Sequence, residues 1–325
     1  MRILILKPSS LGDIVCSLPV AQSIRDQMPD AEISWVAKTR FSEILKRCPT
    51  VNGEIIEFDH APGLRGLLAI RTVMKSLRGK HFDAVLDFQG LLRTGLMTWS
   101  AKSPLKVGSI EAREGSRLAY NHVVPLPSNG RESHAIEKLL QFLPAIGLKP
   151  ELRSPIDIQG DPLEGANSRL SASGPIVMIP NSRGPHKEWK GFPELTTALL
   201  NTSNCPVVVW DSHIRWNDPP LDAPEKFVNL TQKTSLLQLI ELLRGASLVV
   251  ANDSGPLHIA AALGRPTLGL FGPTDPCRFG PYPLHESRNQ VLQAPDGDLS
   301  KLSSKIVLET VLKIVQKCSP RLYAA

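Results

Sequence analysis

Short apolar runs alternate with amphipathic ones along almost the whole chain. Arg2–Leu6 is a continuous apolar run of strand length, and Ile14–Met28 then repeats its apolar positions at helical spacing. Glu32–Ala37 reads as a strand, Phe41–Arg47 as a short helix and Glu54–Phe58 as a strand. A helix near Leu64–Leu77, the strand Ala84–Asp87, a helix over Leu91–Ser100 and a strand at Lys106–Gly108 continue the series. Ala135–Leu143 closes this half as a helix that Pro144 stops. Apolar strands separated by helices predict parallel sheets covered on both faces, because a parallel crossover needs a connection of helix length.

Between Lys149 and Gly174 the pattern lapses into Pro, Gly and Ser, with helical period only at Ala166–Leu170, and this reads as an interdomain connection. The rhythm restarts with the strand Ile176–Ile179, a helix Pro193–Asn201, strands Val207–Trp210 and Phe227–Asn229, and a helix Ser235–Arg244. Next comes LVVANDSGPLHIAAALGRPTLGLFGPTDPCRFGPY (Leu248–Tyr282). It reads as the strand Leu248–Ala251, a polar turn Asn252–Gly255, a helix opened by Pro256, the strand Pro266–Phe271 and a loop Gly272–Pro276. The last amphipathic helix is Leu302–Lys317. A chain of 325 residues exceeds the usual size of one core. The predicted division is a first domain over 1–155, a second over 156–302, and a terminal helix over 303–325 placed to pack back on the first. Two Rossmann-like domains facing each other across a cleft is the simplest architecture with this rhythm.

Composition narrows the function classes. Hydrophobic content of 42% and charged content of 21% are those of an ordinary globular protein. No apolar run approaches the ~20 residues of a membrane-spanning helix. The apolar start is broken at Gly12 and Asp13 with no cleavage site, which predicts a cytoplasmic chain. Five scattered cysteines without a CxxC pair read as structural thiols. The formal charge of +6 suits an anionic partner: nucleic acid, an anionic membrane surface or a phosphorylated substrate. Aromatics at 5%, not interleaved with basic residues, argue against nucleic acid.

Three places offer chemistry. The first βα turn, Lys7–Asp13, lacks the GxGxxG of nicotinamide-binding folds, and so does the rest of the chain. Asp13, at the start of the following helix, is either a general base for an incoming hydroxyl or a helix cap. After the strand at 176–179, the run Pro180–Trp189 suits a phosphate cradle, with Lys187 placed to neutralise a leaving diphosphate; the alternative is a solvated basic loop. In the turn before Pro256, small residues open the N–H groups of a helix start to an anion. Asp253 and Ser254 are caps or ligand contacts there, and His258 is a phosphate donor or a packed side chain. Asp296-Gly297-Asp298 imitates a metal-binding DxD but reads better as a solvated turn.

KPSSLGDIVCSLPV, FDAVLDFQGLLRTGL, SRGPHKEW and NLTQKTSLLQLIELLRGASLVVANDSGPLHIAAALGRPTLGLFGPTDP, in this order, resemble glycosyltransferase family 9, the bacterial ADP-heptose:lipopolysaccharide heptosyltransferases. The resemblance runs from residue 1 to about 282. It implies a GT-B fold and an inverting transfer of heptose from ADP-heptose, with no metal and no cofactor. It makes Asp13 the general base, and it places Ser182, Lys187, Asp253, Ser254, Gly255, Pro256 and His258 at the donor diphosphate. The opening segment, the QGLLR run, Ala112-Arg113-Glu114 and His134 look most like the heptosyltransferase I branch, which adds the first heptose to Kdo on lipid A. Ser10, Gly12, Gln89, Arg93, Arg113 and His134 are then the acceptor side, with a structural role the alternative for Gln89, Arg93, Arg113 and His134. A basic, peripheral protein on the inner face of the inner membrane follows. Two departures bear on specificity. Asp211–Arg215 replaces the glycine and acidic residue that relatives use near the ribose, and the arginine cluster before the first domain's third helix is thin, with Arg65 and Arg71. Two other readings stay open: a family 9 enzyme with a different donor or acceptor, and an inactive nucleotide-sugar-binding partner in glycan assembly, against which Asp13 speaks.

Overall fold

The computed structural model describes residues 1–59, 63–163, 174–182, 184–202, 205–220, 222–284 and 286–318. The helical period at Ala166–Leu170 lies outside them. The chain divides into two compact units, Met1–Ile158 and Gln159–Ala325.

In the first unit the elements are β1 (Arg2–Leu6), α1 (Leu11–Gln27), β2 (Glu32–Lys38), α2 (Thr39–Lys46), β3 (Ile55–Phe58), α3 (Leu64–Arg78), β4 (Ala84–Asp87), α4 (Leu92–Ser100), β5 (Leu105–Ser109), β6 (His122–Val124) and α5 (Ala135–Leu140). Its six strands are parallel in the order β3-β2-β1-β4-β5-β6. Leu4, Leu6, Val36 and Val85 turn to one sheet face, where Ile70, Val73 and Leu77 of α3 and Met97 of α4 cover them. Ile3 and Ile5 alternate with them onto the other face and are equally inaccessible. Burial on both faces is why these strands read as continuous apolar runs.

The second unit holds β7 (Ile176–Ile179), α6 (Phe192–Leu200), β8 (Val208–Trp210), β9 (Phe227–Asn229), α7 (Leu236–Gly245), β10 (Leu248–Asn252), α8 (Gly255–Ala262), β11 (Thr267–Phe271), α9 (Pro276–Phe279), β12 (Asn289–Gln293) and α10 (Ser304–Cys318). Its strands run β12-β11-β10-β7-β8-β9, the same winding as the first sheet. In each unit the strand order reverses between the first and fourth strands, at β1/β4 and at β7/β10. Open α/β sheets take their ligands outside the carboxyl ends of such a pair.

The second core joins the sheet residues Met178, Val208, Val250 and Leu268 to Leu195 and Leu199 of α6 and to Val307, Val311 and Ile314 of α10. The terminal helix α10 thus packs on α6 within the second unit. Edge-to-face rings extend this core: Trp189–Phe192 at 5.2 Å, Trp210–Trp216 at 5.8 Å and Trp210–Phe227 at 5.4 Å between centroids. The buried indoles are satisfied, Trp189 Nε1 donating to the Leu302 carbonyl and Trp210 Nε1 to Thr196 Oγ1, each at 2.9 Å.

Four elements depart from the sequence reading. The edge strands β6 and β12 are missing from it, since HVV is three residues long and NQVLQ is mostly polar, and an edge strand needs little apolar surface. α5 ends at Leu140, and Pro144 sits inside a 3-10 turn (Leu143–Ile146) beyond it, where its missing N–H costs nothing. Pro276, expected in a loop, opens the short α9, whose cap is Asp275 Oδ1 accepting from Cys277 N at 2.8 Å.

Candidate functional site

The β7/β10 switch point gathers two segments far apart in sequence. Ser182 Oγ donates to the Asp253 carbonyl at 2.7 Å across 71 positions. Lys187 Nζ lies 2.8 Å from Asp253 Oδ2, and Thr274 Oγ1 donates to that same oxygen at 2.9 Å. Asn252, fully buried at the end of β10, fastens the two segments: its Nδ2 donates to the Pro180 carbonyl at 2.9 Å and its Oδ1 accepts from Trp189 N at 3.1 Å. The buried Trp189 therefore anchors the loop that carries Lys187. Glu188 holds the loop from inside, accepting from Asn181 Nδ2 at 3.1 Å and from Lys190 at 2.8 Å. Burial opposes its ionisation, but the bonds from Lys190, Asn181 and Ser182 outweigh that and keep its carboxyl below the usual range. Gly255 and Pro256 form the first turn of α8, with His258 following, and Ser254 Oγ just before them is buried with no hydrogen-bond partner among the described residues. Helix N–H groups, the hydroxyl of Ser254 and the ammonium of Lys187, which is paired with Asp253, are the donors that this edge could offer an anion.

The β1/β4 switch point carries the other candidates. Asp13 is the third residue of α1, and its Oδ2 accepts from both Ser10 N and Ser10 Oγ at 2.8 Å. It is therefore a helix cap, yet its side chain is 50% exposed, and Oδ1 lies 3.9 Å from Lys7 Nζ. A Cβ at Gly12 would meet nothing within 4 Å, so the backbone beside Asp13 is open. Lys7 is buried and donates to the Phe88 carbonyl at 3.2 Å, linking the ends of β1 and β4. Burial lowers its pKa, against the opposing pull of Asp13 and Asp87.

The acceptor-side candidates divide. Asp87, at the end of β4, accepts from Gln89 N at 3.0 Å, Gly90 N at 2.9 Å and Tyr120 Oη at 2.7 Å, and burial raises its pKa in spite of these bonds. Arg113 N donates to the Gly90 carbonyl at 2.8 Å, so Gln89, Arg93 and Arg113 collect around one turn. Gln89 Oε1 and Arg93 Nε are buried there with no hydrogen-bond partner among the described residues. Lys38, at the end of β2, joins this edge; burial and then the charges of Arg93 and Arg40 lower its pKa. His134 does not belong with them. It is 1% exposed, and its Nδ1 accepts from Ile136 N at 3.1 Å as the cap of α5, which makes it a structural residue rather than an acceptor contact. The DxD look-alike is a turn: Asp298 Oδ1 accepts from Ser300 N at 3.0 Å, and Asp296 pairs with Lys301 at 2.7 Å.

Sequence reasoning missed Thr274, Asn252, Glu188, Lys38 and the bridging role of Lys7. For Thr274, Asn252 and Lys7 the signal lies in the strand order, since each bonds to a residue at a neighbouring strand end.

Asp211, directly after β8, is also at this edge of the second sheet. It is 3% exposed and accepts from Thr234 Oγ1 at 2.7 Å, and burial pushes its carboxyl up to about 6. A folded-state value above the unfolded value of about 3.9 means that the folded state binds the proton more tightly. Its contribution to stability is therefore greatest below about pH 4, declines as pH rises towards 6 and stays low above that. Asp211→Asn keeps an acceptor for Thr234 without the charge. It is expected to stabilise the protein by about 1–3 kcal/mol at pH 8 and by much less at pH 4.5, as read by urea unfolding. An equal effect at both pH values would contradict a buried, strained carboxylate.

Comparison with known proteins adds a family match. The model for glycosyltransferase family 9 (heptosyltransferase) matches residues 70–308. The lipopolysaccharide core heptosyltransferase OpsX of Haemophilus influenzae is 29% identical over 292 residues, covering 86% of this chain and 81% of its own. Lipopolysaccharide heptosyltransferase 1 of Escherichia coli strain K12 is 28% identical over 323 residues, covering 95% of this chain and 98% of its own. Among solved structures, E. coli heptosyltransferase WaaC with ADP superposes with a TM-score of 0.75 at 25% identity, covering 97% of this chain and 100% of that one.

Proposed function

The chain belongs to glycosyltransferase family 9 (heptosyltransferase), and from that membership we propose that it transfers heptose from ADP-heptose to the inner core of lipopolysaccharide, with Kdo-lipid A as acceptor. Its two Rossmann-like units are of the GT-B type. The observation that carries the reading is the convergence of Ser182, Lys187 and the Asp253–Pro256 turn at one switch point, where a diphosphate has a cation, hydroxyls and helix N–H groups to meet. The ADP held by WaaC supports the same nucleotide here.

In this mechanism ADP-heptose binds the second unit through Ser182, Lys187, Asp253, Ser254, Gly255, Pro256 and His258. The acceptor binds the first unit at Ser10 and Gly12, with its acidic groups towards Gln89, Arg93 and Arg113. Arginine suits this because its planar fork matches carboxylate and phosphate. Asp13 takes the proton of the acceptor hydroxyl as that oxygen attacks the anomeric carbon from the face opposite ADP. The bond to the diphosphate breaks, configuration inverts, and Lys187 with the α8 N–H groups neutralises the departing ADP. Ser10 orients the base through its two bonds to Oδ2 and leaves Oδ1 for the proton. The enzyme works at the cytoplasmic face of the inner membrane as a peripheral protein, where its basic charge favours anionic lipid.

A second reading keeps the family and changes the donor. Asp211, buried after β8, occupies the place where nucleoside contacts are expected. Isothermal titration without divalent metal separates the two readings. ADP-heptose is expected to bind at least about ten-fold more tightly than UDP- or GDP-sugars, a difference of about 1.4 kcal/mol. Preference for another nucleotide sugar would retain Asp13 and the fold and overturn the heptose donor.

A further inference from the structure

On the first unit, α3 and α4 lie side by side on one face of the sheet, and the 3-10 turn Ser116–Ala119 packs against α4. Gly95 permits that approach, since a Cβ there would stand 2.8 Å from the Ser116 Cα. Their outward surface carries large apolar side chains: Leu67 and Leu68 of α3 (58% and 60% exposed), Leu92, Leu96 and Trp99 of α4 (49%, 37% and 61%) and Leu118 of the turn (92%). Leu92, Leu96 and Trp99 follow at helical spacing, so they form one stripe. Single exposed apolar residues need no explanation, but six on adjoining elements do.

Charge identifies what this surface fits. Helices α3 and α4 contain Arg65, Arg71, Lys75, Arg78 and Arg93 and no Asp or Glu. Residues 64–119 hold ten Lys and Arg against four Asp and Glu, so this stretch by itself has the +6 of the whole chain. Three of the four acids are occupied elsewhere: Asp83 accepts from Arg2 N, Asp87 is buried and Glu111 pairs with Lys138, while Glu114 is held at the start of α4, accepting from Leu92 N. Arg71 and Lys75 are paired with no carboxylate among the described residues.

We propose that the outward face of α3, α4 and the 116–119 turn docks on an anionic lipid bilayer, with Trp99, Leu96 and Leu118 entering the headgroup boundary and Arg71 and Lys75 meeting lipid phosphates. Tryptophan and leucine beside Lys and Arg, on two helices that carry no acid, is the composition of a membrane-interface surface. A second copy of the chain seated on this face would bring like charges together. The inference deepens the proposed function by naming the face that brings a lipid-linked acceptor within reach, and it rests on that reading only for its purpose.

Sedimentation with phosphatidylcholine vesicles, with and without phosphatidylglycerol, tests it, alongside transfer to a soluble, delipidated acceptor. The protein is expected to bind the anionic vesicles and not the neutral ones. The double variant W99S/L118S is expected to bind about ten-fold more weakly or worse. K75Q is expected to weaken binding and flatten its salt dependence. Because Trp99, Leu118 and Lys75 are outside the site and largely exposed, transfer to the soluble acceptor stays unchanged. Unaltered vesicle binding by W99S/L118S, or no vesicle binding by the parent protein, overturns the docking face. So does a dimer in sedimentation velocity that W99S/L118S dissolves without affecting vesicle binding, which would assign the face to a second copy. Loss of soluble transfer by the parent protein would count against the transferase reading and leave the vesicle result to judge the face.

Discussion

Replacing Asp13 by Asn is expected to lower kcat by about 10²–10⁴-fold, the usual worth of a positioned general base. The structure separates this from a folding defect. Asp13 caps α1 by accepting from Ser10 N and Oγ at 2.8 Å, and an Asn carbonyl is able to accept the same bonds. The variant should therefore unfold within about 1 kcal/mol of the parent protein. It should also bind ADP-heptose with nearly unchanged affinity, because every proposed donor contact lies in the other unit. Turnover within a few-fold of normal would remove Asp13 from the chemistry and leave it the cap alone. The local geometry makes the two roles compatible: Ser10 occupies Oδ2, while the side chain is half exposed and Oδ1 lies 3.9 Å from Lys7 Nζ. That buried lysine, whose ammonium form burial disfavours, is held by the Phe88 carbonyl.

Replacing Lys187 by Met is expected to weaken ADP binding about ten-fold or more and to lower kcat by about 10²–10³-fold, the range found when one donor to developing charge is removed. Lys187 faces Asp253, whose carboxylate also accepts from Thr274 at 2.9 Å. The variant leaves that partly buried carboxylate with one partner, so some stability is lost, on the order of 1–2 kcal/mol. A purely structural lysine would show that loss with donor affinity intact. Titration with ADP beside an unfolding curve tells the two apart, and Asp253→Asn provides a control that frees the ammonium without removing it.

Much of this was legible along the chain. The strands of both sheets are apolar because they are buried on both faces, so Arg2–Leu6, Ala84–Asp87, Ile176–Ile179 and Leu248–Ala251 stand out without any knowledge of their partners. The polar residues directly after them, Lys7–Asp13, Asn181–Lys187 and Asn252–Gly255, mark where a doubly wound sheet holds ligands, and the order of motifs pointed to the family. The edge strands His122–Val124 and Asn289–Gln293 were not legible, because the first is three residues long and the second is mostly polar, whereas the other two edges, Ile55–Phe58 and Phe227–Asn229, keep apolar residues and were read.

Local sequence thus determined the elements, their two-fold repetition as Rossmann-like units, and the residue types at each strand end. The pairings that make those residues a site were decided only by tertiary structure. Which strand lies beside β7 is a choice among several equally apolar candidates, and periodicity does not distinguish them. Placing β10 there brings Asp253 to Lys187 across 66 positions and to Ser182 across 71, and lets Asn252 lock the loop at Trp189. Packing likewise withdrew His134 into the cap of α5 and buried Asp211, while it left Trp99 and Leu118 outside. Burial and proximity depend on the whole assembled sheet, and a local run of residues does not contain them.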